Sequence, residues 1–135
     1  MTDQSIEQEI KAKGLTAPRI TPDDIEANIT NEYYFTAQNG VIGANCGAIN
    51  GPIVHSLCLL TFCVIVLRNG FTVTGESACA SPENFDAEVG RKISRQNAVQ
   101  KIWPLMGYEL RNHLAWVHAV MEDPSGTKQL EAIAE

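Results

Sequence analysis

At 135 residues the chain can bury about two-thirds of the surface its unfolded form exposes, so one domain without disulfide or metal staples is expected. Its 16 acidic against 10 basic side chains, a net charge of −6, weigh against a duplex nucleic-acid binder, which needs clustered cations. That acidity suits docking on a basic protein surface or mimicry of nucleic acid, and it is also what keeps many small proteins in solution.

The first twenty residues, MTDQSIEQEIKAKGLTAPRI, are polar and lack the apolar core of a signal peptide. With Cys46, Cys58, Cys63 and Cys79 in the chain, reduced thiols in a cytoplasm are expected. Ser5-Ile6-Glu7-Gln8 reads as a capping box opening a short helix. Gly14 would close it, because glycine tolerates the positive φ of a helix end. Residues 15–20 hold Pro18 and read as a linker. Thr21-Pro22-Asp23-Asp24 announces a second helix, with Thr21 as cap and Pro22 in the first turn. Ile25 and Ile29 share its inward stripe, and it should end near Asn31. Tyr33-Tyr34-Phe35-Thr36 fits a short strand or an aromatic clamp. Residues 39–51, with Gly40, Gly43, Gly47 and Gly51, read as a loop.

Residues 53–67, IVHSLCLLTFCVIVL, carry no charge. Apolar on every side, the run predicts a central helix over 53–68 that needs neighbours all round. Asn50-Gly51-Pro52 would open it and Asn69-Gly70 stop it. It is shorter than the roughly 20 residues a bilayer core requires and includes His55, Ser56 and Thr61, so no membrane span is expected. Phe71-Thr72-Val73-Thr74 alternates and is β-prone, with residues 33–36 as its partner in a minimal ribbon.

Ser81-Pro82-Glu83 predicts another helix start, with Phe85, Val89, Ile93, Val99 and Ile102 facing inward. Trp103-Pro104 should end or kink that helix. A last helix repeats Met106, Leu110, Leu114, Val117 and Met121, and residues 122–126 break it. The sum is a mainly α fold: a compact helical domain around a buried central helix, with at most a minimal two-stranded β-ribbon. An N-terminal helix and linker would occupy 1–20, the helical core domain 21–121 and a C-terminal tail 122–135.

Few residues carry a chemical signature. Cys46, His55, Cys58 and Cys63 lack the paired spacing of a zinc site, and buried cysteine acting as a small hydrophobe is the plainer reading, so no metal and no cofactor are expected. Cys79 precedes a helix whose positive end would favour a thiolate, but nothing in the spacing brings His55, His113 or His118 to it. Residues 74–82, TGESACASP, lead into a helix N-terminus where free N–H groups attract anions. Thr74, Gly75, Ser77 and Ser81 are the candidate ligand-binding residues there, joined by Arg91 or Arg95 from a neighbouring subunit. Glu76 opposes an anion, and a tight strand-to-helix connection capped by Ser81 explains the same residues. Arg91, Lys92 and Arg95 form a basic strip that is more simply a solvated face. Tyr33, Tyr34, Phe35 and Trp116 are the candidate interface, which makes a homo-oligomer the expectation.

Residues 59–111, containing NGFTVTGESACASPENFD and KIWPLMGYEL, resemble a family of small tailed-bacteriophage proteins, the gene 49/gene 66 family. The stretches TAPRITPDDIEANI and YYFTA, within 16–37, resemble the same family's leader. The resemblance brings no assigned activity, cofactor or catalytic residue. It implies a phage accessory protein working in the host cytoplasm, with 1–15 and 115–135 outside the family pattern. The leading expectation is a non-enzymatic protein that binds a host component, a counter-defence role included. The alternatives are a protein that binds or sequesters a nucleotide or other small anion and, behind it, a Cys79-dependent enzyme.

Overall fold

A computed structural model describes residues 2–45, 47 and 55–126. Helix α1 spans Asp3–Ala12 and α2 Pro22–Asn28. Strand β1, Ile29–Thr36, runs directly into helix α3, Ala37–Ala44. A 3₁₀ turn at His55–Leu59 leads into strand β2, Leu60–Leu67, and a tight loop joins it to β3, Thr72–Ala78. A second 3₁₀ turn, Pro82–Asn84, precedes the long helix α4, Ala87–Glu122. The chain divides into two compact units, Pro22–Trp103 and Met1–Thr21 with Pro104–Glu135.

The unit Pro22–Trp103 is an α+β structure, which corrects the mainly α expectation. Its centre is a three-stranded antiparallel sheet in the order β1-β2-β3. The described part of the expected central helix is a 3₁₀ turn followed by the middle strand; residues 53 and 54 lie outside the described residues. A strand whose side chains are apolar on both faces shows the same unbroken apolar run as a buried helix. Chemistry separates the two: Thr61, Phe62, Val64, Ile65 and Val66 are β-branched or aromatic, and such side chains favour the pleated surface. Burial alternates strictly along β2, with Thr61, Cys63, Ile65 and Leu67 buried and the intervening residues half-buried. The minimal ribbon is corrected too: residues 33–36 and β3 do not pair with each other, because β2 lies between them.

Asn69-Gly70 therefore makes a hairpin rather than a helix stop. The Leu67 amide donates to the Phe71 carbonyl (2.8 Å) and the Gly70 amide to Leu67 (2.9 Å). Gly70 sits at φ +86°, the left-handed residue that ends a three-residue hairpin loop. The same conformational freedom at Gly14, φ +68°, does end α1, with the Leu15 and Gly14 amides returning to Ile10 and Lys11.

Other boundaries moved for local reasons. Thr2, not Ser5, caps α1; Ser5 is the reciprocal partner of that box. Helix α2 starts at Pro22 and buries Ile25 as expected, but Ile29 already belongs to β1. Residues 39–44 of the expected loop belong to helix α3, capped by the reciprocal Thr36–Asn39 pair; most of the remainder lies outside the described residues. Ser81 makes no side-chain capping bond, and Asp86 instead accepts from the Glu88 and Val89 amides (2.9 and 3.1 Å) to open α4. Helix α4 runs on through Pro104, so Trp103-Pro104 does not end it, although the two units divide there.

The face α4 lays on the sheet is built from small residues. Gly90, Ser94 and Ala98 follow one another at four-residue spacing, with Val99 and Ile102 completing the buried side. A Cβ on Gly75 of β3 would fall onto the Ser94 carbonyl and the Ala98 amide and lie 3.0 Å from Ala98 Cα. A Cβ on Gly90 would come 3.0 Å from Thr61 Oγ1 of β2. Helix and sheet backbones thus touch almost directly, and large side chains do not fit between them. Of the expected inward stripe, Val99 and Ile102 are buried, whereas Val89 and Ile93 are 50% and 43% exposed.

In the other unit, Glu7 of α1 is buried, and Arg19 donates to both its carboxylate oxygens (2.6 Å each), tying the linker back to the helix. On the C-terminal part of α4, Met106, Leu110, Leu114 and Val117 are half-buried, while Met121 is exposed. Among the described residues, no helix is long and apolar enough to cross a membrane.

Candidate functional site

The register of the sheet sorts its residues onto two sides. Glu32, Tyr34 and Thr36 lie opposite Ile65, Cys63 and Thr61, so they share the side that α4 covers. Asn31, Tyr33 and Phe35 lie opposite Val66, Val64 and Phe62 and face the other way.

On the covered side a polar chain crosses four elements. Arg95 of α4 donates from Nε to Glu32 Oε1 (2.8 Å) and from Nη1 and Nη2 to the two oxygens of Glu26 in α2 (3.1 and 2.8 Å). The Tyr34 hydroxyl donates to the second Glu32 oxygen (3.1 Å) and also interacts with the Cys63 thiol of β2. Arg95 holds the Glu32 carboxyl below its ordinary range, against the opposing effect of burial. The two carboxylates in turn keep the guanidinium firmly charged. Burial pushes the Tyr34 phenol up, with the nearby thiol and Glu32 adding to the effect. Burial likewise raises the Cys63 thiol, which therefore stays protonated. Each group in the chain has a partner within it. Chemically the cluster is a charged strut joining α2, β1 and α4, with a neutral Tyr–Cys end beneath the helix.

The residues expected to bind an anion do not all face one way. Thr74 is exposed on the side opposite to Gly75 and Ser77. Gly75 is occupied by the passage of α4, Ser77 is half-buried, and Ser81 begins a 3₁₀ turn. Arg91 is exposed, while Arg95 is engaged by Glu26 and Glu32. The Cys79 thiol donates to the Ser81 carbonyl (3.1 Å) and Cys58 to Gln38 Oε1 (2.8 Å). Cys46 lies outside the described residues.

Of the expected interface residues, Tyr34 belongs to the covered side. Tyr33 is 56% exposed on the open one, and Phe35 stacks there on Phe62 with ring centroids 5.6 Å apart. Trp116 is 57% exposed on α4, stacked on His113 at 6.3 Å. Leu105 and Tyr108 project at spacings that put them on the same stripe of the helix as Trp116, and Tyr108 is 73% exposed. Sequence reasoning missed Glu26, Glu32 and Cys63 as partners of Arg95 and Tyr34. The available signal was the two-residue spacing of Glu32 and Tyr34, which puts both on one face once 29–36 is read as a strand.

The chain matches no curated protein and no solved structure. A family model described as the phage protein (N4 Gp49/phage Sf6 gene 66) family matches residues 20–114, a span that holds α2, α3, all three strands and the greater part of α4. The protein therefore belongs to this bacteriophage protein family.

Proposed function

We propose that this phage protein is a non-enzymatic accessory factor that binds a host protein in the bacterial cytoplasm, a component of a bacterial defence being the first class of target to test. One observation carries the reading. Leu105, Tyr108 and Trp116 expose a single apolar stripe on α4, although the same helix already has a separate, half-buried apolar stripe. Exposed Trp and Tyr on a rigid helix are the residue types that dominate binding energy at protein interfaces. The net charge of −6 would favour a basic partner surface around such an anchor.

The polar cluster supports binding over catalysis, since its acids, guanidinium and phenol are bonded to one another and its thiol is buried and protonated. A small-anion site ranks lower because Arg95 is already shared by two carboxylates.

Affinity capture from host lysate, with wild type and Trp116→Ala run side by side, tests the proposal. A specific host protein should be retained by wild type and weakened about 30-fold by the substitution, the effect of losing a hot spot of about 2 kcal/mol. Equal retention by both forms, or no specific protein from any host, would overturn it.

A further inference from the structure

We infer that the uncovered side of the sheet is the contact surface of a homodimer, its occupant being the same face of a second copy. The inference does not depend on the host-binding reading, which concerns a different surface.

Among the described residues, the unit Pro22–Trp103 is layered on one side only. Helix α4 closes the side bearing Cys63, Ile65 and Gly75, whereas on the other side Gly40 of α3 approaches the Phe35 ring near the end of β1. What remains open is an apolar strip with Tyr33 and Phe35 on β1 and Val64 and Val66 on β2, bordered by Thr72 and Thr74 on β3. A two-sided sheet is the usual arrangement in which such a strip is buried, either by a helix layer or by a second sheet.

Charge decides between occupants. Every residue that the three strands turn toward this side is uncharged except Glu76, at the β3 margin. Two copies each carrying −6 repel wherever their acidic surfaces meet, so they can approach only through a face cleared of charge. A basic partner drawn to the protein by its acidity would find no counter-charge here. A two-fold axis through the strip sets Tyr33 of each copy against the apolar β2 residues of the other and leaves Glu76 outside the apolar strip.

Size fixes the expected strength. Three strands at about 4.8 Å spacing and seven residues at about 3.3 Å make a face of roughly 14 by 23 Å. That is at or below the low end of specific interfaces, so the dimer should be reversible and in the micromolar range rather than permanent.

Sedimentation velocity of the full chain across roughly 1 to 300 μM brackets an affinity of that order. Wild type should move from monomer to dimer across the series. Tyr33→Glu and, separately, Thr74→Glu place an acid in the strip at exposed positions that the fold does not depend on, and each should remain monomeric with an unchanged melting temperature. Raising salt should tighten the wild-type dimer, because it screens the repulsion while leaving the apolar contact intact. A wild type that is monomeric at the top concentration would overturn the inference. So would variants that dimerise like wild type, or a dimer that salt weakens.

Discussion

A methyl group added at Gly75 has no room, because the Ser94 carbonyl and Ala98 amide already occupy the place of its first carbon. The obstruction is helix backbone, which cannot rotate aside as a side chain could, so α4 would have to lift from the sheet. Gly75→Ala should lower unfolding free energy by about 3 kcal/mol, the upper part of the range for overpacking, measured by urea denaturation. Gly107 offers the opposite case. It lies inside α4 with nothing within 4 Å of its Cβ position, so Gly107→Ala should raise stability by up to about 1 kcal/mol through helix propensity alone.

Arg95 sets a pH dependence of known sign. Its bonds hold the folded-state pKa of Glu32 below the ordinary value of 4.5. The resulting stabilisation is present above pH 4.5 and is lost as pH falls through the lower, folded-state value. Arg95→Leu should therefore be less stable than wild type near neutrality, and the gap should narrow in acid. Paired urea titrations at neutral pH and near pH 3 would show it; a gap that widens in acid would contradict the strut.

At the scale of elements, α4 departs furthest from a hydrophobicity pattern. Its buried side is Gly90, Ser94 and Ala98 together with Val99 and Ile102, while Val89 and Ile93 face outward. Close approach between helix and sheet selects for small volume, and a pattern that weights large apolar residues holds at Val99 and Ile102 but points to the wrong side at Val89 and Ile93. Ala98→Leu should cost more than about 2 kcal/mol by overpacking, whereas Ile93→Ser should change stability by under about 0.5 kcal/mol. Thermal or urea unfolding of the two variants measures the contrast directly.

The parts of the fold that were legible in the sequence rest on local backbone chemistry. Gly14 ends α1 through positive φ, Pro22 opens α2, and the alternation at 71–74 marks the start of β3. The central run was not legible by periodicity, because a segment apolar on both faces reads alike as a middle strand and as a buried helix. Nor was the polar cluster. Arg95 stood out as a cation, but its partners Glu32 and Glu26 are 63 and 69 residues away, and only the folded sheet brings them to it.

For the molecule as a whole, the placement of β2 underlies the rest. It puts Cys63 and Tyr34 under α4, turns Val64 and Val66 toward the open side, and makes Asn69-Gly70 a hairpin loop. The match to the phage family, residues 20–114, spans the whole of this unit. The hydrogen-bonded pairs at Leu67–Phe71 and Leu59–Cys79 fix the alternation, leaving Val64–Thr74 and, on the other edge, Tyr34–Cys63 as non-bonded pairs. In such pairs the Cα atoms stand about 4.5 Å apart and their hydrogens touch. The decisive measurement is the nuclear Overhauser pattern of residues 60–67. Strong Hα–Hα contacts from Tyr34 to Cys63 and from Val64 to Thr74 are expected; contacts from each Hα to the amide three residues on would make this segment a helix and contradict the fold.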